Sequence, residues 1–192
     1  SLNTLSDRPG MDAQKTDTLG LTFFKKNRYS EFQSLTSTTD TDVVFSYDAD
    51  WGNVDSHAPY TYDYFSQTLR NRKSFGQEFR LVSNENFETE RMPFSWVIGF
   101  SYLKLDETND SQDDGLYGDP LDPFSPYSSL TISSSDYSSE NTALFGNLEY
   151  DLSAFTKISL GLRWENWSAK YSDSDNERFK PLEVTIQKKQ KS

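Results

Sequence analysis

Most of this chain alternates apolar and polar residues with a period of two, and no segment of useful length carries the i, i+3, i+4, i+7 stripe of an amphipathic helix. Only an extended backbone turns that pattern into one dry and one wet face, so it predicts an all-β protein. Over residues 94–104, Phe94, Trp96, Ile98, Phe100 and Tyr102 share one face, while Ser95, Val97, Gly99 and Ser101 share the other. Over 156–165, Ile158, Leu160, Leu162 and Trp164 alternate with Lys157, Ser159, Gly161, Arg163 and Glu165. Residues 142–152 set Leu144, Gly146, Leu148, Tyr150 and Leu152 against Ala143, Phe145, Asn147, Glu149 and Asp151. Residues 75–83 set Phe75, Gln77, Phe79 and Leu81 against Gly76, Glu78, Arg80 and Val82. Weaker candidates are residues 18–25, with Leu19, Leu21 and Phe23 in phase, and a long polar stretch from about 29 to 47.

The links between these strands alternate in length. Residues 26–28, 84–92 and 153–155 read as short turns, whereas 48–73, 106–141 and the segment after Tyr171 read as long loops. Short turns at one end and long loops at the other suit an outer-membrane barrel. A soluble sandwich imitates this only as an antibody-like module with one variable end. The longest near-apolar stretch, residues 96–103, is far short of the roughly 20 residues a spanning helix needs. Low mean hydropathy does not count against a barrel, because lumen-facing polar residues dilute the lipid-facing apolar ones. Phe94, Trp96 and Tyr150 fall near short-turn ends, and Tyr102 and Trp164 near long-loop ends. Aromatic girdles occupy such positions in barrels, although aromatics also suit strands for packing alone.

Charge narrows the function. The 192 residues carry 30 acids against 19 Lys and Arg, a formal net charge of −11, which excludes nucleic acid as the natural partner. No base lies within residues 105–156, which hold Asp106, Glu107, Asp110, Asp113, Asp114, Asp119, Asp122, Asp136, Glu140, Glu149 and Asp151. Residues 106–140, dense in Ser, Gly, Pro and Tyr, read as a solvated acidic loop, with loose calcium binding as the alternative. The stretch from Asp110 to Gly115 resembles the start of an EF-hand loop, but Gln112 and Leu121 stand at the third and twelfth ligand positions, so that site is rejected. The chain has no Cys and a single His, His57, so no conventional zinc site and no cysteine nucleophile can be built. No Gly-x-Ser-x-Gly elbow surrounds any serine. No catalytic residue, metal ligand or cofactor is assigned, and the chain is expected not to be an enzyme.

With the strands read as a barrel wall, Glu78, Arg80, Arg163 and Glu165 fall on the lumen-facing side. They serve there as partners of one another or of a plug, or as contacts to a substrate. Several of these segments resemble the TonB-dependent outer-membrane receptors of Gram-negative bacteria, in particular siderophore receptors. Residues 77–83 are similar to that family's "QE-aliphatic-R-aliphatic-x-S" strand, and 99–102 end the aromatic strand that follows. Residues 143–152, the "GLRYE"-like run 161–165, Ser34-Leu35-Thr36-Ser37, and Tyr47-Asp48-Ala49-Asp50-Trp51 add to the likeness, which spans about residues 18–179.

The resemblance implies an antiparallel, up-and-down transmembrane β-barrel in the cell outer membrane, surrounded by outer-membrane lipid. It implies energy-coupled uptake of an iron–siderophore complex or similar nutrient, with a TonB-type coupling protein acting through a plug. Residues 1–179 are expected to form a partial barrel of about six or seven strands, with extracellular loops near 48–73 and 106–141 and a basic tail over 180–192. The chain shows no plug, coupling box or terminal aromatic strand, so the expectation is a fragment from the middle of a receptor. Trp51, Tyr60, Tyr62, Tyr117, Phe124 and Tyr127 are the candidate ligand contacts, because aromatic bodies with polar tips suit binding surfaces. The competing expectation is a soluble β-sandwich binding carbohydrate or calcium. The two readings differ over Ile158, Leu160, Leu162 and Trp164, which face lipid in a barrel and a core in a sandwich.

Overall fold

The computed structural model describes residues 6–53, 55–84, 94–153, 155–175 and 182–190, with the side chains of 174, 175 and 182–190 left out. Its seven strands are β1 (Met11–Lys26), β2 (Ser30–Asp48), β3 (Thr61–Ser83), β4 (Phe94–Gly118), β5 (Tyr127–Ser153), β6 (Thr156–Asp175) and β7 (Leu182–Gln190). They form one antiparallel sheet in strict chain order, β1-β2-β3-β4-β5-β6-β7. Each strand pairs only with its neighbours in sequence, as in an up-and-down barrel wall. No second sheet lies behind it among the described residues, which sets the two-layer sandwich aside.

Register converts the sequence alternation into two faces. One cross-strand row runs Phe23–Ser34–Phe79–Phe100–Leu144–Trp164 and the next runs Lys25–Phe32–Leu81–Ile98–Gly146–Leu162. Below them lie Trp96–Leu148–Leu160 and Phe94–Tyr150–Ile158. The rings of Phe23, Phe32, Phe79 and Phe100 follow one another across four strands at 6.1–6.4 Å. These side chains have no protein layer over them. Ile158, Leu160, Leu162 and Trp164 are 54%, 61%, 75% and 52% exposed, and no large side chain is fully buried among the described residues. Among the described residues, Ala143 and Ala169 are the buried hydrophobic ones. Among the described residues nothing packs on this apolar face, which is the arrangement expected of a wall whose hydrophobic side meets lipid.

A polar group on that face needs an internal partner, since hydrocarbon offers none. Gln77 meets this requirement. Its Oε1 accepts from Thr36 Oγ1 at 2.6 Å, and its Nε2 donates to Ser34 Oγ and to the Leu35 carbonyl, both at 3.1 Å.

Strand tilt can be read from the register. The row through Lys25 of β1, one residue from that strand's base, reaches Leu162 of β6, six residues above Thr156. With the short-turn ends level, this climb over five strand spacings corresponds to a tilt of about 35°, in the range of membrane barrels.

The strands are much longer than the alternation alone predicts. The segments 48–73 and 106–141, expected as long loops, are mainly strand, and the true connections there are residues 49–60 and 119–126. Residues 106–140, read as a solvated acidic loop, are the paired outer half of the β4–β5 hairpin. Several of its acids are engaged: Asp106 accepts from Ser138 Oγ at 2.7 Å and lies 3.3 Å from Lys104 Nζ, and Asp110 accepts from Ser134 Oγ at 2.6 Å. Both faces are wet at this height, so the pairing is made without hydropathic alternation, by Ser, Thr and Tyr, which suit extended backbone. Residues 182–190, expected within a basic tail, pair with β6 as β7. Most of the turn expected over 84–92 lies outside the described residues.

Candidate functional site

The face opposite the apolar one carries the chemistry. Within the span of the apolar band, two rows cross β3–β6: Glu78–Ser101–Ala143–Glu165 and Arg80–Gly99–Phe145–Arg163. The four charges singled out in the sequence thus share one patch. Each pairs along its own strand, Glu78 with Arg80, and Arg163 with Glu165 at 3.2 Å. Asn141 Nδ2 donates to Glu165 Oε1 at 2.6 Å, and the Arg163 guanidinium lies 5.8 Å from the Phe145 ring centroid. The Phe145 ring lies directly over Gly99, where a Cβ would overlap it. In the neighbouring row the small Ser101 leaves a shallow trough between Glu78 and the Arg163–Glu165 pair.

Above the apolar band, the same face becomes a wall of tyrosine, hydroxyl and arginine. At the far end, Tyr62, Tyr117 and Tyr127 stand opposite one another in a single row across β3, β4 and β5. Three of the six aromatics proposed from the sequence are therefore brought together. The Tyr64 ring packs 4.6 Å from that of Tyr62, and the His57 ring meets Tyr62 edge-on at 5.2 Å. Lower on the wall, the row Arg72–Glu107–Tyr137–Tyr171 crosses four strands. Arg72 donates to Glu107 Oε2 at 2.6 Å, and Arg70 Nε approaches Glu107 Oε1 at 3.7 Å and Asn109 Oδ1 at 3.4 Å. Two guanidiniums thus share one carboxylate. Glu107, Tyr137 and Tyr171 also line a hollow of about 280 Å³. The sequence reading missed Arg70, Arg72 and Glu107, although Arg70 and Arg72 are in phase with Glu78 and Arg80 along the same strand.

The other three aromatics lie in the connections. Trp51 sits at φ 58°, is 76% exposed, and has its ring 6.3 Å from that of Tyr47. The Tyr60 amide donates to the His57 carbonyl at 2.9 Å. Phe124, 81% exposed, occupies the 119–126 turn, its amide donating to Asp122 Oδ1 at 2.9 Å. Phe124 does not join the tyrosine row. In the same turn the Tyr127 hydroxyl donates to Asp122 Oδ2. That bond holds the Asp122 carboxyl below its usual range and pushes the Tyr127 phenol up.

The 49–60 connection is fixed at its root. Asp50 accepts from the Gly52 amide at 2.7 Å and the Tyr64 amide at 2.8 Å, and the Ala49 amide donates to the Tyr64 carbonyl at 2.7 Å. Among the described residues, no group of three or more His, Cys, Asp or Glu is arranged to hold a metal ion.

Comparison with known proteins agrees with this geometry. The family described as "TonB dependent receptor-like, beta-barrel" matches residues 2–190. Among solved structures, the ferric yersiniabactin uptake receptor FyuA from Yersinia pestis superposes with a TM-score of 0.58 at 14% identity, over 92% of this chain and 24% of that one. The chain thus spans about a quarter of the length of that receptor. No curated protein sequence matches it. The lipid-ready face, the tilt and the family match together place the chain in the TonB-dependent receptor β-barrel family of the Gram-negative outer membrane.

Proposed function

We propose that residues 1–179 form part of the barrel wall of a receptor that takes up an iron–siderophore complex or a similar large nutrient, with energy supplied by a TonB-type partner acting on a plug outside this segment. The connections 49–60 and 119–126 face the cell exterior in this reading, and residues 182–190 continue the wall as β7. Tyr62, Tyr117 and Tyr127, with Trp51 and Tyr60 on the neighbouring connection and Phe124 at the tip, form the outer contact surface. Arg70, Arg72, Tyr137 and Tyr171 form a second contact level beneath it. The observation that carries the reading is the division of one sheet into a lipid-facing apolar side and a lumen side, whose outer half is lined by tyrosines and an arginine pair. The likeness to FyuA, a ferric yersiniabactin uptake receptor, supports an iron chelate as ligand.

The experiment expresses the full-length receptor in an iron-starved host lacking its own ferric receptors. It follows ⁵⁵Fe presented as catecholate, hydroxamate and hydroxycarboxylate chelates, with and without the host's TonB. One chelate class is expected to accumulate only when TonB is present. Arg72→Ala is expected to weaken its capture about tenfold, the loss of one charge-assisted contact. Accumulation of none of the three, or accumulation independent of TonB, refutes the iron-chelate reading.

A further inference from the structure

We infer that residues 6–10 form an external strap that positions the 49–60 lip over the lumen. The strap lies on the outward side of the β2–β3 hairpin, in phase with the apolar face but far above it. Arg8 anchors it: its Nη1 lies 3.1 Å from Asp63 Oδ1, and its guanidinium stacks 4.4 Å from the Phe65 ring centroid. Gly10 runs against the main chain of Ser46 and Tyr47, where a Cβ would collide with the Ser46 carbonyl. Next to it, the Met11 amide donates to Ser46 Oγ at 3.0 Å. Under this cover Ser46 and Asp48 are each only 5% exposed, among the most buried polar residues described.

Asp48 is the pivot. Among the described residues, no group closes a full hydrogen bond on either of its carboxylate oxygens. Burial pushes the carboxyl up, and the Ser6 hydroxyl, the main-chain amide and side chain of Asp50 and the main-chain amide of Asp7, near it without a full hydrogen bond, together hold it below its usual range. The strap thus supplies part of what keeps a buried charge in place. Two residues on, Asp50 ties the lip to Tyr64, and the lip turns to the other side of the sheet, where Trp51 meets Tyr47 and His57 meets Tyr62. The wall is one layer thick, so an element on its outside controls a contact surface on its inside through Asp48 and Asp50. Arg8 and Asp48 are positioning residues in this scheme. Neither reaches the lumen.

The positioning role rests on the lip being the ligand-facing surface proposed above. The test reads the strap alone, so it can fail without touching that reading. The full-length receptor is displayed in outer-membrane vesicles and digested with chymotrypsin, and cleavage within 49–60 is timed while heat-modifiable migration confirms a folded barrel. Arg8→Ala is expected to speed cleavage roughly fivefold to tenfold, as the opened lip becomes more populated. Asp48→Asn is expected to act in the same direction. The double variant should be cleaved no faster than the quicker single, because both release the same strap, and Arg8→Lys, which keeps the charge on Asp63 but loses the guanidinium stack on Phe65, should fall between the native rate and that of Arg8→Ala. An unchanged rate in Arg8→Ala, or single effects that multiply in the double variant, overturns the inference.

Discussion

Placing a charge on Leu160 should destabilise the receptor by an amount set mainly by depth in the membrane. With a tilt of about 35° and a rise of about 3.4 Å per residue, Ile158, Leu160, Leu162 and Trp164 stand about 6, 11, 17 and 22 Å above the base of β6. An apolar band about 25 Å tall puts its midplane between Leu160 and Leu162. Arginine at the midplane costs about 2–4 kcal/mol, falling to about 0–1 near either interface. Leu160→Arg and Leu162→Arg should therefore lose about 3 kcal/mol, and Ile158→Arg and Trp164→Arg markedly less of it to the charge itself. Ser159 is the internal control. It points the other way and donates to Asn147 Oδ1 at 3.1 Å, so Ser159→Arg should cost about 1 kcal/mol, the value of that hydrogen bond. The assay is denaturant unfolding of the full-length receptor in phospholipid vesicles, followed by tryptophan fluorescence. A soluble core would penalise each position by its packing, with no minimum at the two interfaces. A flat profile across the four positions, or a Ser159→Arg loss equal to that of Leu160→Arg, refutes the assignment of this face to lipid.

Two further predictions concern the lumen side and the outer turn. Gly99→Val should destabilise by about 1–3 kcal/mol because the new side chain must displace the Phe145 ring, and Phe145→Ala added to it should recover part of the loss, read as a rise in the unfolding midpoint. The Asp122–Tyr127 clamp should set a pH window for the 119–126 turn. Asp122 has a depressed folded value, so its contribution is present above its unfolded value of about 3.9 and is lost as pH falls through the lower folded one. Tyr127 has a raised folded value, so its contribution is present below its unfolded value of about 10 and is lost as pH rises through the higher folded one. Hydrogen exchange at the Phe124 amide, corrected for its intrinsic pH dependence, should be slowest between these limits. Protection that does not change on acidification, or that survives in Tyr127→Phe, counts against the clamp.

The sequence made the membrane-spanning part of the fold legible and left the outer half obscure for a physical reason. In Ile158-Ser159-Leu160-Gly161-Leu162 lipid and lumen impose opposite demands on neighbouring residues, so period two is written in hydropathy. In Asp106–Gly118 both faces meet water, the alternation disappears, and a run of acids and small polar residues looks like loop although every residue from Asp106 to Tyr117 is paired. The site inherits this blind spot. Tyr62, Tyr117 and Tyr127 could be suspected as aromatics among polar residues, but their meeting in one row depends on a register that the misread strands concealed. Arg70 and Arg72 went unnoticed because they fell inside a presumed loop, where parity has no meaning. The strap was beyond reach altogether, since Arg8 meets Asp63 across 55 residues of chain and no local pattern records the contact.

The height of the paired hairpins has an electrostatic consequence. Tyr117 lies 15 residues beyond Tyr102 on β4, which at the strand's tilt lifts the tyrosine row roughly 40 Å above the upper edge of the apolar band. Mobile ions extinguish a surface potential over about 8–10 Å at physiological salt. In the outward-facing reading proposed above, the rim of this wall segment therefore stands several screening lengths clear of the phosphates of the leaflet beneath it. An incoming anion approaching the rim is spared the repulsion of the membrane and meets only the charges that the hairpins themselves carry.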